Sequence, residues 1–339
     1  ATVIPAIVMG NPVVVKLPKY GMLCNLPLLD AFASCFPPGA INIINGDGPT
    51  VVRPIMESGR ISVFAFIGSS KAANAIERYH PRPNRLRRIY GLEAKNPAVI
   101  LRDAELATAI RECVTGTLSF SGQRCTAIKH LWVEESIADD FLASFTEAVN
   151  QLQLGMPWED HVRITPLPEA NKVAYLSALV DDAVQKGARI VNPGGGESVG
   201  TLFAPAILYP VTPAMRVFQE EQFGPVIPIT PFRDPQEVLA SAEASEYGQQ
   251  LSVFGADPKR LGQLIDPLTN LVARVNLNIQ CQRGPDVFPF TGRKDSAIGT
   301  LSIYDALRSF SIRAMVAAPE KDAQLLVALG KTRHSKFLA

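Results

Sequence analysis

Residues 61–79 read ISVFAFIGSSKAANAIERY, an apolar run followed by a Gly-Ser-Ser turn and then by a stretch of helix-forming residues. The apolar run predicts a buried strand, and residues 71–79 predict a helix that begins at the turn. Free backbone N–H groups at such a helix start, together with a serine, are able to bind a pyrophosphate, although an ordinary helix cap has the same composition. The junction predicts an α/β fold and leaves both interpretations of the turn open.

The chain before this junction repeats the same alternation. Residues 12–16 and 40–45 are short apolar runs, and residues 25–36 between them have their apolar side chains at helical spacing. Strands that alternate with helices form parallel sheets with helices packed on their faces. The first part of the chain is thus expected to form half of a nucleotide-binding layout.

A second α/β region follows. Residues 96–101 predict a strand, and Asp103 is expected to cap a helix whose apolar positions share one face. A strand through Val133 and a helix opened by Ser136 come next. The later predicted elements are a helix at 176–186, strands around Ile190 and Val226, and a final strand at 273–279.

Length and composition narrow the class of protein. A chain of 339 residues exceeds the size of a single growing core, so two domains are expected. With 19% charged residues and a net charge of +1, nothing points to nucleic acid or a membrane surface as a partner. The sequence has no apolar run of about 18 residues and no signal-peptide pattern near its start, so a cytoplasmic location is expected. The five cysteines form no CxxC pair, and neither disulfides nor a metal site is predicted.

Cys125 has unusual neighbours in the stretch FSGQRCTAIK at residues 120–129. Most free cysteines are inert core residues, and Cys113 on its predicted apolar helix face fits that description. Beside Cys125, however, Gly122 permits a tight backbone turn and Arg124 supplies a permanent positive charge, which favours a thiolate. A thiolate that attacks an aldehyde forms a thiohemiacetal, whose hydride can pass to a nicotinamide and leave a thioester for water to cleave. That route requires a dinucleotide site, a carboxylate that activates water, and donors for the oxyanion.

Seven motifs are spread along the chain: GNPVVVK (10–16), FPPGAINIINGDG (36–48), FAFIGSS (64–70), KNPAVIL (95–101), FSGQRC (120–125), EEQFGPV (220–226), and YGQQLSVF (247–254) with RVN (274–276). Together they resemble the aldehyde dehydrogenase superfamily and lie in the order found in that family. The resemblance implies an α/β, three-layer fold with two parallel-sheet domains, of which the cofactor domain is incomplete at its N-terminus.

The resemblance implies the cofactor site. Lys16 would contact the adenosine ribose, Gly48 and Ser69 would lie near the adenosine and the pyrophosphate, and Glu221 with Phe223 would surround the nicotinamide ribose. Family members that prefer NAD often have a glutamate where this chain has Lys19. A lysine does not repel a 2′-phosphate, so NADP is expected and NAD is less favoured.

Within the superfamily, SGQRCTA and NLNIQCQRGPDVFPFTG (276–292) are most similar to NADP-dependent, non-phosphorylating glyceraldehyde-3-phosphate dehydrogenases. In that family one arginine before the nucleophilic cysteine and another in the QRG segment bind the substrate phosphate. Those positions are Arg124 and Arg283 here, and guanidinium groups suit a phosphate dianion. The implied substrate is a small phosphorylated aldehyde, with glyceraldehyde 3-phosphate as the first candidate.

The sequence departs from the family in two places. The deacylating glutamate of the family opens a Glu-Leu-Gly-Gly-Lys motif, whereas residues 91–95 read GLEAK, so the carboxylate has moved two positions, to Glu93. Residues two apart in an extended chain share a face and lie about 7 Å apart, so Glu93 is expected to reach the thioester, the alternative being a surface carboxylate. The family's N-terminal segment, which carries the oxyanion asparagine, has no counterpart here.

These departures shape the expected organisation. Residues 1–93 are predicted to be the C-terminal part of an NADP-binding domain, residues 94–293 a catalytic domain, and residues 294–339 a segment that returns to the cofactor domain with an oligomerisation strand and a tail. The chain is expected to be about two-thirds of a subunit that forms a homodimer or homotetramer. Two alternatives remain open, a dehydrogenase of a carboxylated semialdehyde and an inactive cofactor-binding or assembly module.

Overall fold

A computed structural model describes residues 2–332. The strands are β1 Val13–Lys16, β2 Ile41–Ile44, β3 Val63–Ile67, β4 Arg87–Gly91, β5 Pro97–Ile100, β6 His130–Glu134, β7 Gln153–Leu154, β8 Val162–Ile164, β9 Arg189–Ile190, β10 Ser198–Val199, β11 Leu202–Phe203, β12 Ala206–Tyr209, β13 Val226–Phe232, β14 Tyr247–Gly248, β15 Gln250–Phe254, β16 Arg274–Leu277, β17 Arg293–Lys294 and β18 Ala297–Ile298. The α-helices are α1 Val3–Val8, α2 Leu26–Cys35, α3 Gly48–Glu57, α4 Ser70–Glu77, α5 Leu106–Leu118, α6 Ala138–Asn150, α7 Lys172–Gln185, α8 Arg216–Gln219, α9 Pro235–Ala244, α10 Pro258–Leu268, α11 Ile303–Ser309 and α12 Ala323–Lys331.

A seven-stranded sheet forms the largest core, in the order β16-β15-β5-β6-β13-β12-β9. All neighbours are parallel except the edge pair of β12 and β9. In β5, Ala98 and Ile100 pack in one apolar cluster, which includes residues of α5 and α6, while Val99 packs in another, with residues of α9 and α10. Because both faces of the sheet are covered, inner strands such as β13 read as nearly continuous apolar runs.

Smaller sheets contain the first part of the chain. β1 pairs with β2 in parallel, and β3 pairs with β4 in parallel, with β18 antiparallel on the other side of β4. The register sets Ile67 opposite Gly91, so the turn at residues 68–70 lies beside residues 91–93. After Glu93 the chain enters β5 of the large sheet, which places these residues at the junction of the two sheets.

The residues after 293 return to the first part of the chain. The N–H of Leu92 donates to the carbonyl of Ser296 at 2.9 Å, and Asn11 Nδ2 donates to the carbonyl of Phe310 at 2.8 Å. The domain boundaries, the oligomerisation strand and the function of the tail stay predictions, and residues 333–339 of that tail lie outside the described residues. Among residues 2–332, no helix combines the length and hydropathy that crossing a membrane requires.

Two predicted helix caps are wrong. Helix α5 begins after Glu105, whose carboxylate accepts the N–H groups of Ala107 and Thr108 at 3.1 and 2.8 Å. Asp103 lies too early for that role and instead binds the start of α10, where it accepts the Ala256 N–H at 2.7 Å. Ser136 lies inside a short 3₁₀ turn at residues 135–137, and α6 begins after it without a side-chain cap.

Candidate active site

A cleft of about 690 Å³ lies where residues 91–93 meet the large sheet. Five of the residues singled out in the sequence line it together, and they come from four separate segments of the chain: Ser69, Glu93, Cys125, and Glu221 with Phe223. The structure thus gathers a thiol, two carboxylates, an aromatic ring and a helix start around one space.

A tight turn after α5 presents Cys125 to this cleft. Phe120, Ser121 and Gly122 have consecutive left-handed φ angles of 55°, 54° and 72°. A Cβ at Gly122 would lie 2.6 Å from the carbonyl oxygen of Gly224, so only glycine allows this close approach. The turn therefore brings the cysteine loop against the loop that carries Phe223.

Two buried side chains fix the backbone at the cysteine. Asn96 Nδ2 donates to the carbonyls of Cys125 and Ala127 at 2.9 and 3.1 Å, and Lys129 Nζ donates to the carbonyl of Cys125 at 2.9 Å. Neither residue belongs to the catalytic or binding residues predicted from the sequence. The available signal was a polar residue, Asn96, at the start of a buried apolar strand.

Lys129 also joins the cysteine loop to Glu221. Its Nζ lies 3.1 Å from Glu221 Oε1 and 5.8 Å from the centre of the Phe223 ring, and its side chain is only 1% exposed. Burial lowers the pKa of Lys129, and the charge of Glu221 opposes that shift. Glu221 Oε1 accepts the Ala94 N–H at 3.0 Å as well, so its carboxylate has a fixed position.

Glu93 binds the start of α4. Its Oε2 accepts the N–H of Ser70, the first residue of that helix, at 2.8 Å. Ser69 is the N-cap, and its hydroxyl accepts the Ala72 N–H at 3.2 Å. The Gly-Ser-Ser turn is therefore a helix cap, and it also borders the cleft and binds an anionic side chain. This geometry is compatible with both interpretations of the turn, an ordinary cap and a pyrophosphate site.

Tyr247 lines the same cleft and was not singled out in the sequence. Burial raises the pKa of Tyr247 to about 12, and the charge of Glu93 contributes to the shift. The phenol therefore stays neutral at physiological pH beside the carboxylate. Its sequence signal was its place at the start of the motif YGQQLSVF.

Three predicted cofactor residues lie outside this cleft. Lys16 ends β1 and is paired with Ile44 at the end of the parallel strand β2, and Gly48 begins α3 after that strand. The ammonium of Lys19 lies 5.3 Å from the centre of the Tyr20 ring. Lys16 and Gly48 thus follow the carboxyl ends of adjacent parallel strands, where α/β proteins usually bind nucleotides.

The two predicted substrate arginines also lie outside the lining of the cleft. Arg124 directs its Nη2 toward Gln280 Oε1 at 3.3 Å and the carbonyl of Gly116 at 3.4 Å, while its buried Nε has no partner among the described residues. Burial lowers the pKa of Arg124. Arg283 Nε lies 3.4 Å from Asp286 Oδ1, so both guanidinium groups have contacts outside the lining of the cleft.

A dinucleotide suits most of the donors and acceptors present. Lys16 and Lys19 would supply positive charge for a 2′-phosphate, the start of α4 would supply N–H groups for a pyrophosphate, and Glu221 would supply an acceptor for ribose hydroxyls. Glu93 is the exception, because its carboxylate occupies an N–H at the helix start.

Comparison with known proteins gives consistent results along most of the chain. The model of the aldehyde dehydrogenase family matches residues 1–316. An NADP-dependent glyceraldehyde-3-phosphate dehydrogenase of Streptococcus equinus is 37% identical over 313 residues, which are 92% of this chain and 63% of that protein. A non-phosphorylating aspartate-semialdehyde dehydrogenase of Halomonas elongata is 32% identical over 297 residues, 87% of this chain and 59% of that protein.

Solved structures show the same fold. The NADP-dependent glyceraldehyde-3-phosphate dehydrogenase of Bacillus halodurans, complexed with NADP, superposes with a TM-score of 0.85 at 36% identity, over 91% of this chain and 63% of that one. The glyceraldehyde-3-phosphate dehydrogenase of Methanocaldococcus jannaschii, also complexed with NADP, gives 0.84 at 27% identity, over 91% and 67%. The chain therefore spans less than two-thirds of the first two relatives and of the Bacillus structure.

Proposed function

The chain belongs to the aldehyde dehydrogenase family, and we propose that it oxidises a small phosphorylated aldehyde, with glyceraldehyde 3-phosphate as the first candidate, to the acid with NADP⁺. The observation that carries the proposal is the convergence of Cys125, Glu93, Ser69 and Glu221 on one cleft. The similarity to relatives named as NADP-dependent glyceraldehyde-3-phosphate dehydrogenases supports the cofactor and the substrate.

In this proposal the Cys125 thiolate attacks the aldehyde carbon to form a thiohemiacetal oxyanion, which becomes a thioester when the hydride leaves the same carbon and the C=O bond re-forms. Bound NADP⁺ supplies the hydride acceptor. A water molecule then attacks the thioester carbon, a carboxylate takes the proton from that water, and the C–S bond breaks to release the acid and the thiolate. The fixed carbonyl of Cys125, held by Asn96 and Lys129, supports a defined position for the sulfur.

Glu93 is the carboxylate that we assign to water activation. Four glutamates line the cleft, and three are paired with cations: Glu169 with Lys172 at 3.6 Å, Glu220 with Arg216 at 2.7 Å, and Glu221 with Lys129 at 3.1 Å. Glu93 forms no ion pair with any described residue, and this distinguishes it from the other three glutamates of the cleft.

The remaining proposed contacts follow the family. Lys16 and Gly48 bind the adenosine side of NADP, Lys19 favours the 2′-phosphate, and Glu221 with Phe223 positions the nicotinamide ribose. Arg124 and Arg283 bind the substrate phosphate, and the unpartnered Nε of Arg124 supports that role for one of them. We also propose the homo-oligomeric state and the cytoplasmic location that the sequence suggests.

Removal of the Cys125 thiol tests the covalent route. With glyceraldehyde 3-phosphate and NADP⁺, we expect NADPH production by the full-length protein to fall to background in Cys125→Ala and to persist in Cys24→Ala, whose exposed thiol lies outside the cleft. Continued substrate-dependent production in Cys125→Ala would contradict the mechanism. Tight NADPH binding with a Cys125 thiol that alkylating reagents leave unmodified would favour the cofactor-binding module instead.

A carboxylated semialdehyde is the second candidate substrate. The likeness to the Halomonas aspartate-semialdehyde dehydrogenase favours it, and guanidinium groups also bind carboxylates. We expect kcat/KM to be at least about tenfold higher for glyceraldehyde 3-phosphate than for succinic semialdehyde, because a dianion gains more from two arginines than a monoanion. Equal values would remove the argument for a phosphorylated substrate.

A further inference from the structure

We propose that Glu93 weakens cofactor binding, because its carboxylate occupies the N–H group at the start of α4 that a cofactor pyrophosphate would use. This inference rests on the proposed function. It concerns a residue that stands where the family motif Glu-Leu-Gly-Gly-Lys has its first glycine, a position without a side chain to compete.

The carboxylate of Glu93 and a cofactor pyrophosphate would share one donor, the N–H group of Ser70. The N–H of Ser70 is the first of α4 and has no acceptor within the helix, and Glu93 Oε2 lies 2.8 Å from it. Carboxylates and phosphates both prefer this place, because the helix dipole and the free N–H groups favour negative charge there. One N–H group cannot satisfy both anions, so the pyrophosphate must displace the carboxylate or lose a donor.

The charge of Glu93 differs from the charges of the other glutamates of the cleft in having no cationic side chain beside it among the described residues. Each of the other three glutamates of the cleft is paired with a lysine or arginine, whereas Glu93 pairs with no cation in the described part of the chain. Its negative charge is therefore not neutralised by a side chain of the described residues when a phosphate approaches. Two like charges roughly 5 Å apart repel each other even at the effective dielectric constant of a protein surface. That repulsion is large enough to raise the Kd of a phosphate ligand by more than one order of magnitude.

The register of β3 and β4 leaves the carboxylate close to the helix start. Ile67 lies opposite Gly91, and residues 68–70 turn into α4 beside the chain that continues to Glu93. A rotation of the Glu93 side chain into the cleft frees the Ser70 N–H and moves the carboxylate away from the helix, into the space that Cys125 also lines. Cofactor binding and the proposed water activation thus both require the Glu93 side chain to rotate into the cleft.

The test measures binding, without turnover, on the full-length protein. We expect Glu93→Gln to lower the Kd of NADP⁺ by about tenfold or more, since glutamine removes the charge and keeps the size. Glu169→Gln is the matched control, because it neutralises another carboxylate of the same cleft, and we expect a change below about threefold.

A second ligand locates the effect. Adenosine 2′-monophosphate has the ribose phosphate but no pyrophosphate, so its Kd should be equal in the wild type and in Glu93→Gln. An equal or higher Kd of NADP⁺ in Glu93→Gln would overturn the inference alone, and so would an equal gain for both ligands. Absence of NADP⁺ binding in both folded proteins would overturn the inference together with the cofactor part of the proposed function.

Discussion

Lys129 shows what a single buried residue contributes to the site. A lysine without solvent is costly unless its charge is paired and its protons find acceptors. Here the acceptors are the carbonyl of Cys125 and the carboxylate of Glu221, and the Phe223 ring lies at the edge of the same group. One ammonium thus connects the proposed nucleophile with two residues proposed for the nicotinamide ribose.

We predict that Lys129→Met lowers kcat/KM by about tenfold to a hundredfold, because the Cys125 loop and Glu221 lose their common support. The free energy of unfolding should also fall, since a buried pair that loses one partner typically costs about 3–5 kcal/mol, and less here because Glu221 borders the cleft and keeps the Ala94 N–H. Steady-state kinetics and denaturant unfolding measure the two effects.

Lys95→Met is the matched control for this prediction. Lys95 is buried too, but it donates to the carbonyl of Glu220 at 2.7 Å and to Gln222 Oε1 at 2.6 Å, without contact to Cys125. We expect this variant to lose stability with a much smaller loss of kcat/KM. Equal kinetic losses in both variants would mean that Lys129 acts only through general stability.

At the scale of elements, the sequence predicted apolar strands such as β3, β5 and β6 but neither β4 nor β12, and it placed helix starts poorly. β6 has three consecutive apolar residues at 131–133, as a strand buried on both faces does, and all five of its residues are buried. A cap depends on the backbone turn of one or two residues, and several side chains near a helix start are chemically suited to it. Glu105, and not the expected Asp103, is the N-cap of α5. The carboxylate of Asp103 instead binds Arg260 of α10 at 2.9 Å, and these two residues are 157 positions apart in the sequence.

The site was predictable where chemistry lies in a local motif. Cys125 was indicated by the residue types beside it, and Glu221 with Phe223 by the resemblance of the motif EEQFGPV to the family; the structure brings all three to one cleft. The functions of Asn96 and Lys129 could not be predicted, because they depend on contacts between segments that lie apart in the sequence. The direction of Arg124 was equally inaccessible, since it follows from the positions of Gly116 and Gln280 after folding.

At the scale of the whole molecule, His130 links the site region to the stability of the large sheet. It opens β6, stacks on Trp132 with a centroid distance of 5.1 Å, and lies 2.8 Å from Thr230 Oγ1 on the neighbouring strand. The Thr230 hydroxyl donates to the carbonyl of Val211, so His130 Nε2 is the donor in their contact. Burial lowers the pKa of His130 well below its usual value, and the charge of Lys95 adds to the shift.

This shift has a definite sign for folding. The unfolded chain takes up a proton at His130 near pH 6.5, while the folded chain takes it up only at lower pH. The contribution to stability is therefore complete above about pH 6.5 and is lost as the pH falls from there toward the folded pKa, by at most about 1.4 kcal/mol per pH unit. Acidification should weaken the large sheet from within, because the imidazole is fully enclosed in it.

We predict that His130→Gln removes this part of the pH dependence. Glutamine keeps an N–H donor for Thr230 and does not titrate, so between pH 7.5 and pH 5.5 the wild type should lose about 1 kcal/mol more free energy of unfolding than the variant. Denaturant titrations at the two pH values measure the difference, and the other three histidines of the chain are common to both proteins and cancel. Parallel pH profiles would show that His130 is protonated as readily in the folded sheet as in the unfolded chain.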